Sequence, residues 1–225
     1  MKRQEFFCQG TLGDVFVISC KLFNDELCRI FHRTKWQNWH NDIKTIYNLL
    51  LPSAEIYFTD ENRRDLIEIN SNCHLQTESM EFFPKIPNTL TVSSIFLDVP
   101  YIVVQAHAGK LNGGNTKRLS YDTIYKIIDS FDPIKIILIG TDKYYDKVEG
   151  CRNMVGMTTI PVAFDIVKHS NGFVGPEGLM SFVALSQKKD SIIFYREKEA
   201  ISRRVLGTKW EEFCIDLIRM DNDLY

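Results

Sequence analysis

The alternation of apolar and polar stretches is sharpest in the second half of the chain. Residues 101–106 (YIVVQA) form a short apolar run behind Pro100, and residues 134–139 (IKIILI) form another, ended by Gly140-Thr141-Asp142. Runs of this length, rich in β-branched side chains and bounded by turn formers, predict buried strands. Between them Ser120 opens a stretch with Ile124, Ile127, Ile128 and Phe131 at helical spacing, with Asp122 in its first turn and Pro133 at its end. The pattern goes on to a weak strand at 152–155 and a helix capped by Thr159, with Pro161 near its start, running to His169. It then predicts a short strand at 172–174, a helix from the turn Gly175-Pro176-Glu177-Gly178 to Leu185, a strand at 191–195 and a helix over 209–220. Strands alternating with helices predict a parallel sheet covered on both faces.

The first half is less regular. Residues 5–8 read as a short strand, followed by Gly10-Thr11-Leu12-Gly13-Asp14 and a helix to about Phe23. Residues 41–51 read as a helix and 55–59 as a strand, so a second, smaller α/β unit is expected. The stretch 82–94 has two prolines and little periodicity and is the expected linker, which divides the chain into units 1–95 and 96–225.

Composition narrows the classes. With 44% hydrophobic and 25% charged residues, the 225-residue chain has enough apolar material for a sizeable core, against extensive disorder. Residues 1–96 carry 10 basic and 12 acidic side chains and residues 97–225 carry 17 of each, so neither half is a basic module. Nucleic acid as a partner is therefore not indicated by charge. No run reaches the roughly 18–20 apolar residues that span a bilayer. The opening residues lack the apolar stretch of an export signal, and the six cysteines form no CxxC pair. Reduced thiols, a cytoplasmic location and no structural metal or cofactor are the expectation.

Three segments could carry chemistry. A helix start at Gly175–Gly178 offers unpaired backbone N–H groups and a partial positive charge, a seat for phosphate; its plainer use is a tight turn with Glu177 stabilising the helix. The loop after strand 101–106 holds His107, Gly109, Lys110, Lys117 and Arg118 at what would be the carboxyl edge of the sheet, where ligands bind. Its cations could neutralise a diphosphate, or simply be solvated; the loop lacks P-loop spacing. Asp14, after Gly10 and Gly13, could take a proton from an attacking hydroxyl, or cap a helix. The aromatic and imidazole cluster of His32, Trp36, Trp39 and His40 could pack on a sugar or base, or sit in the core. The pairs Arg63-Arg64, Lys188-Lys189 and Arg203-Arg204 read as exposed.

Taken in order, these elements resemble the heptosyltransferase-like group of GT-B glycosyltransferases (glycosyltransferase family 9, lipopolysaccharide core). The segment 153–180, NMVGMTTIPVAFDIVKHSNGFVGPEGLM, is similar to that family's loop, helix, short strand and Gly-Pro-acid-Gly-Leu-Met turn. Residues 101–128 resemble its strand and lysine-bearing loop, and Gly13-Asp14 its N-terminal Gly-Asp. The resemblance implies two Rossmann-like parallel-sheet units with a reduced N-terminal half. It implies inverting, metal-independent transfer from a nucleotide-sugar to an acceptor glycan or other hydroxyl compound, with Asp14 as base. Donor contacts would then come from His107, Gly109, Lys110, Lys117, Arg118, Thr141, Asp142, Met157, Thr158 and the run Gly175, Pro176, Glu177, Gly178, Leu179, Met180. Gly10, Gly13, Trp36 and His40 would lie on the acceptor side. The turn is one residue shorter than the family pattern, and Ser181 and Leu119 stand where the family has His and Trp. Two alternatives follow: a phage-type glycosyltransferase acting on DNA or a modified nucleotide, and a non-catalytic nucleotide-sugar-binding or scaffold protein.

Overall fold

The computed structural model describes residues 3–24, 27–34, 37–75, 80–88, 100–108, 117–131 and 135–220. The first unit runs β1 (Gln4–Gln9), α1 (Leu12–Lys21), β2 (Cys28–Arg33), α2 (His40–Leu50), β3 (Glu55–Thr59) and β4 (Ile67–Ile69). Its four strands pair in the order β3-β2-β1-β4, all parallel. The sequence reading had not anticipated β2 or β4. In β2, Cys28, Ile30 and His32 are buried while Arg29, Phe31 and Arg33 are half-buried, the period of two that a strand with one inward face requires. The inward face meets α1 and α2. On the outward face Arg29 pairs with Glu5 at 3.2 Å and Glu55 at 2.8 Å, and Phe31 stacks on Tyr57 with Arg63 over its ring.

The second unit contains β5 (Tyr101–Gln105), β6 (His107–Ala108), β7 (Lys117–Arg118), α3 (Tyr121–Ser130), β8 (Lys135–Ile139), β9 (Arg152–Asn153), α4 (Ile160–His169), β10 (Gly172–Pro176), α5 (Leu179–Ser186), β11 (Asp190–Tyr195), α6 (Lys198–Arg204) and β12 (Cys214–Arg219). Six strands form a parallel sheet in the order β12-β11-β10-β5-β8-β9, and β6 pairs with β7 as a small antiparallel ladder. Apolar side chains of β5 and β8 are buried on both faces, which is why these strands read as continuous apolar runs. Ser120 caps α3 by accepting from the Thr123 N–H at 3.1 Å.

The helix expected over 209–220 is instead a short 3-10 turn followed by β12. The pairing explains the misreading. Ser191 faces Cys214, but Ile192 faces Asp216, so Ile215 is inserted as a bulge. The half-buried Cys214 and Leu217 are thereby three apart, a helical spacing on a strand. The expected linker is irregular at residues 80–88 but is not loose. Trp210 Nε1 donates to the Phe82 carbonyl at 2.7 Å, Gln187 Nε2 to Pro84 at 2.9 Å and Lys168 Nζ to Ile86 at 2.6 Å. The proposed division near residue 95 lies outside the described residues.

The units share one core. Helices α1 and α2 pack against α5 and α4, so a helical layer is sandwiched between the two sheets. Phe16 of α1 meets Phe164 of α4 edge-on at 5.8 Å, and the fully buried Trp210 stacks on Phe182 of α5 at 5.8 Å. A second cluster, around Val104, Leu138, Ile124 and Tyr145, seals the far face of the larger sheet under α3.

Candidate functional site

In both sheets the strands are parallel, so the loops leaving their carboxyl ends converge on one edge. A cleft of about 560 Å³ opens there, lined from β1 by Thr11–Asp14, from β5 by Gln105, His107 and Ala108, from β8 by Gly140 and Thr141, from β10 by Glu177–Met180 and from β11 by Arg196 and Glu197. The N-termini of α1, α4 and α5 all reach it, since Leu12, Thr159, Ile160 and Leu179 are in its wall. Each start leaves backbone N–H groups without a helical partner and adds partial positive charge. Among the described residues, no group of three His, Cys, Asp or Glu side chains is arranged to hold a metal ion.

Asp14 is the most constrained carboxylate of the cleft. Its Oδ2 accepts from the Thr11 N–H at 2.8 Å and the Thr11 hydroxyl at 3.0 Å, and its Oδ1 from the Ser71 hydroxyl at 2.7 Å and from Arg204 Nη2. It is thus both a helix-start partner and a cleft residue. Burial pushes its pKa up, but Arg204, Ser71 and Thr11 outweigh burial and hold it below the usual carboxylate range. Gly10 is required behind it. Its φ of +134° disfavours other residues, and an added Cβ would lie 2.5 Å from the Asp14 Cβ.

Glu177 is almost wholly buried, and its carboxylate sits between two cations. Lys117 Nζ donates to that carboxylate and, at 3.0 Å, to the Glu177 carbonyl; Arg204 Nη1 donates to Oε1 at 3.1 Å. A chain of alternating charge, Lys117–Glu177–Arg204–Asp14, therefore crosses the cleft from one unit to the other. The expectation that Arg203 and Arg204 are exposed holds for Arg203 but not for Arg204, whose side chain is only 16% exposed. The only local signal was two adjacent arginines after a strand, and their place depends on α6 folding back over the first unit. There the Cys73 N–H donates to the Arg203 carbonyl at 2.8 Å, and His74 Nε2 lies 2.8 Å from the Ser202 carbonyl.

The structure brings together at the cleft wall Gly13, Asp14, His107, Lys117, Thr141, Thr158, Glu177, Gly178, Leu179 and Met180. His107 is buried, stacked on Tyr145 and 3.2 Å from the Thr141 hydroxyl through Nε2. Burial lowers its pKa, with Asp142 opposing and Arg118 adding to the effect. Arg118 and Asp142 are not in the wall; they pair at 2.9 Å, and Asp142 also accepts from the Tyr144 N–H at 3.1 Å. Gly175 and Pro176 lie within β10, where a Cβ on Gly175 would be 2.9 Å from the Gln105 Cβ, so that glycine serves strand packing. The N–H groups of Glu177 and Gly178 are engaged, by the Phe194 carbonyl at 2.8 Å and the Ser181 hydroxyl at 3.0 Å, so the remaining N–H groups at this helix start are those of Leu179 and Met180. Met157 is exposed and outside the wall. Gly109, Lys110 and Trp36 lie outside the described residues. His40 stacks on Phe58 at 3.8 Å, and His32 is a core residue. Trp39 and Asp42, one helical turn apart, line the cleft on the first unit's side, and burial raises the Asp42 pKa. Asp42 had no sequence signal beyond its place in a helix.

No family model matches the chain. A stretch of 96 residues is 29% identical to a 4-hydroxybenzoate octaprenyltransferase of Shewanella oneidensis; it covers 41% of this chain and spans a third (33%) of that protein. Among solved structures, the E. coli ADP-heptose LPS heptosyltransferase II superposes with a TM-score of 0.53 at 10% identity, covering 96% of this chain and 90% of that one. The glycosyl transferase family 9 protein of Veillonella parvula gives 0.53 at 9% identity, over 96% of this chain and 86% of that one. The iron-containing dodecameric glycosyltransferase TibC of enterotoxigenic E. coli gives 0.52 at 14% identity, over 86% of this chain, which spans only 58% of TibC. With paired parallel sheets, a shared helical layer and a cleft along their carboxyl edges, the chain has the heptosyltransferase-like GT-B fold.

Proposed function

We propose that this protein is a glycosyltransferase that moves a sugar from a nucleotide-sugar donor to an acceptor hydroxyl, with inversion and without a metal. The observation that carries the reading is the cleft itself. A carboxylate on one unit, Asp14, faces a wall on the other that carries Lys117, Arg204 and the start of α5. In the proposed step the acceptor oxygen bonds to the anomeric carbon from the side opposite the diphosphate. Its proton passes to Asp14, and the bond from the anomeric carbon to the diphosphate oxygen breaks with its electron pair on the diphosphate. Lys117, Arg204 and the N–H groups of Leu179 and Met180 supply the positive charge that this leaving group needs. The Trp39 indole and the Asp42 carboxyl offer an apolar face and a hydrogen-bonding edge to a polyhydroxyl acceptor. The ADP-heptose donor of the heptosyltransferase II neighbour makes ADP-sugars the first donors to try.

A thermal-shift panel of UDP-, GDP-, ADP-, CMP- and dTDP-sugars tests the reading, because a ligand that binds only the folded state raises the apparent stability. One donor class should shift the midpoint, and Asp14→Asn should keep that shift while losing transfer. No shift from any donor well above about 1 mM removes the donor site; unchanged turnover in Asp14→Asn removes its role as base. One observation favours binding without transfer as a second reading: both Asp14 oxygens already accept hydrogen bonds. Donor binding with neither hydrolysis nor transfer would establish that reading instead.

A further inference from the structure

The guanidinium of Arg204 touches both Asp14 and Glu177, two of the carboxylates that line the cleft. Nη2 donates to Asp14 and, at 3.3 Å, to the Ser71 hydroxyl; Nη1 donates to Glu177 at 3.1 Å. Its Nε is buried with no hydrogen-bond partner among the described residues, a donor left over. The side chain is only 16% exposed and lies over the Phe182 ring at 5.8 Å, so it is held within the cleft wall rather than swinging in solvent. Lys117, Glu177, Arg204 and Asp14 balance in charge. An incoming diphosphate that engages Lys117 or Arg204, beside the N–H groups of Leu179 and Met180, therefore takes hydrogen bonds from donors that now serve these two carboxylates.

From this geometry we propose that Arg204 is a positioning residue that couples diphosphate occupancy to Asp14: an anion in the cleft draws the guanidinium toward itself and frees Asp14 to accept a proton. This inference rests on the donor-site reading above. It explains why a carboxylate with four donors could still act as a base. In the empty protein Asp14 is a weak base, held down by Arg204; with the leaving group's phosphates in place it becomes a stronger one. Two groups near Asp14 can change: His32, which takes a proton as pH falls toward about 4, and Arg204, the one an anion in the cleft can draw away. His32 on β2 and Tyr47 on α2 are buried and bonded to each other at 3.0 Å, Ser71 and Thr11 are neutral, and Glu177 and Lys117 act only from beyond Arg204. By linkage, the coupling is reciprocal: protonating Asp14 strengthens diphosphate binding.

The test follows the Asp14 side-chain carboxyl by carbon-13 NMR across pH, assigned with Asp14→Asn, with and without inorganic pyrophosphate. In the wild-type protein pyrophosphate should raise the Asp14 midpoint by about 1 unit, the scale of losing one close opposite charge. In Arg204→Gln the midpoint should begin high and rise less with pyrophosphate, since only direct repulsion between the anion and the carboxylate remains. Arg204→Lys should begin between the two, because one ammonium cannot fork to both carboxylates. If Arg204→Gln does not fold, Arg204→Lys decides: a rise with pyrophosphate equal to the wild-type one would be direct charge repulsion alone and would overturn the coupling. Pyrophosphate that binds, seen as shifts at Lys117 and Leu179, but leaves the Asp14 midpoint unmoved overturns the coupling alone. Pyrophosphate that does not bind overturns both the coupling and the anion site on which it rests.

Discussion

A single buried imidazole sets a measurable acid limit on this protein. His32 lies 3.0 Å from the Tyr47 hydroxyl and 3.3 Å from the Gly10 carbonyl, an arrangement satisfied by a neutral ring that accepts from Tyr47 and donates to Gly10. Burial lowers its pKa from 6.5 to about 4, only partly opposed by Gly10 and Asp14. Between those values the unfolded chain binds a proton that the folded chain refuses, so stability rises with pH across the window and is lost as pH falls through it. The loss from pH 7 to pH 4 should be on the order of 3 kcal/mol, read by urea unfolding at each pH. His32→Gln should flatten that slope; a slope unchanged in the variant would place the acid sensitivity elsewhere. A ligating role for this histidine could not be judged from the segment HRTKWQNWH, because its partners Tyr47 and Gly10 are remote in sequence. Asp14 was more legible. Its plainer use, at a helix start, was readable from the turn and is seen in the bond it accepts from the Thr11 N–H, while its contact with Arg204 crosses 190 positions.

At the scale of elements, legibility followed burial. Strands β5, β8 and β11 stood out because their central side chains are inward on both faces, and α3 because Ser120 and the isoleucine spacing agree. Helix α6 did not, since seven residues with two arginines and a lysine carry little apolar signal. What fixes α6 and the turn after it is Trp210, fully buried against Phe16, Phe82 and Phe182 and donating to the Phe82 carbonyl. Trp210→Ala should cost about 3–5 kcal/mol. It should also loosen Arg204, so that Asp14 titrates at higher pH even where the variant stays folded. Trp210→Phe, which keeps most of the volume but drops the indole N–H, should cost less, by equilibrium unfolding. Equal costs for the two variants would assign the effect to the hydrogen bond rather than to the packing.

The whole molecule behaves as one body in this structure, because a single apolar cluster runs from Phe6 of the small sheet to Ile193 of the large one. Unfolding in urea should therefore be one transition, with tryptophan fluorescence and far-ultraviolet dichroism tracing the same curve. Two separated transitions would show that the units are held together more weakly than the shared helical layer implies. The small sheet's outward face is the exception to this closure. Parallel sheets are usually covered on both sides, yet here the Arg29, Glu5 and Glu55 ion pairs face outward, half-exposed. Charge on that surface keeps it wettable where no described helix covers it. None of this was visible in the net balance of charges; it emerged only once the strand register placed Arg29 beside both acids.

The return of residues 198–213 to the first unit has a consequence for how the protein comes into being. A ribosome delivers β1 and Asp14 well before Arg204 and Trp210, since Asp14 and Arg204 are 190 positions apart. Until then Asp14 lacks its guanidinium, and Phe16, Phe82 and Phe182 lack the indole that fills the space between them. The early segment must wait, partly collapsed and with apolar surface showing, for a late one to complete it. A later-made segment thus settles whether an earlier one is finished, and a nascent protein stalled before residue 198 should be a substrate for chaperones and proteases.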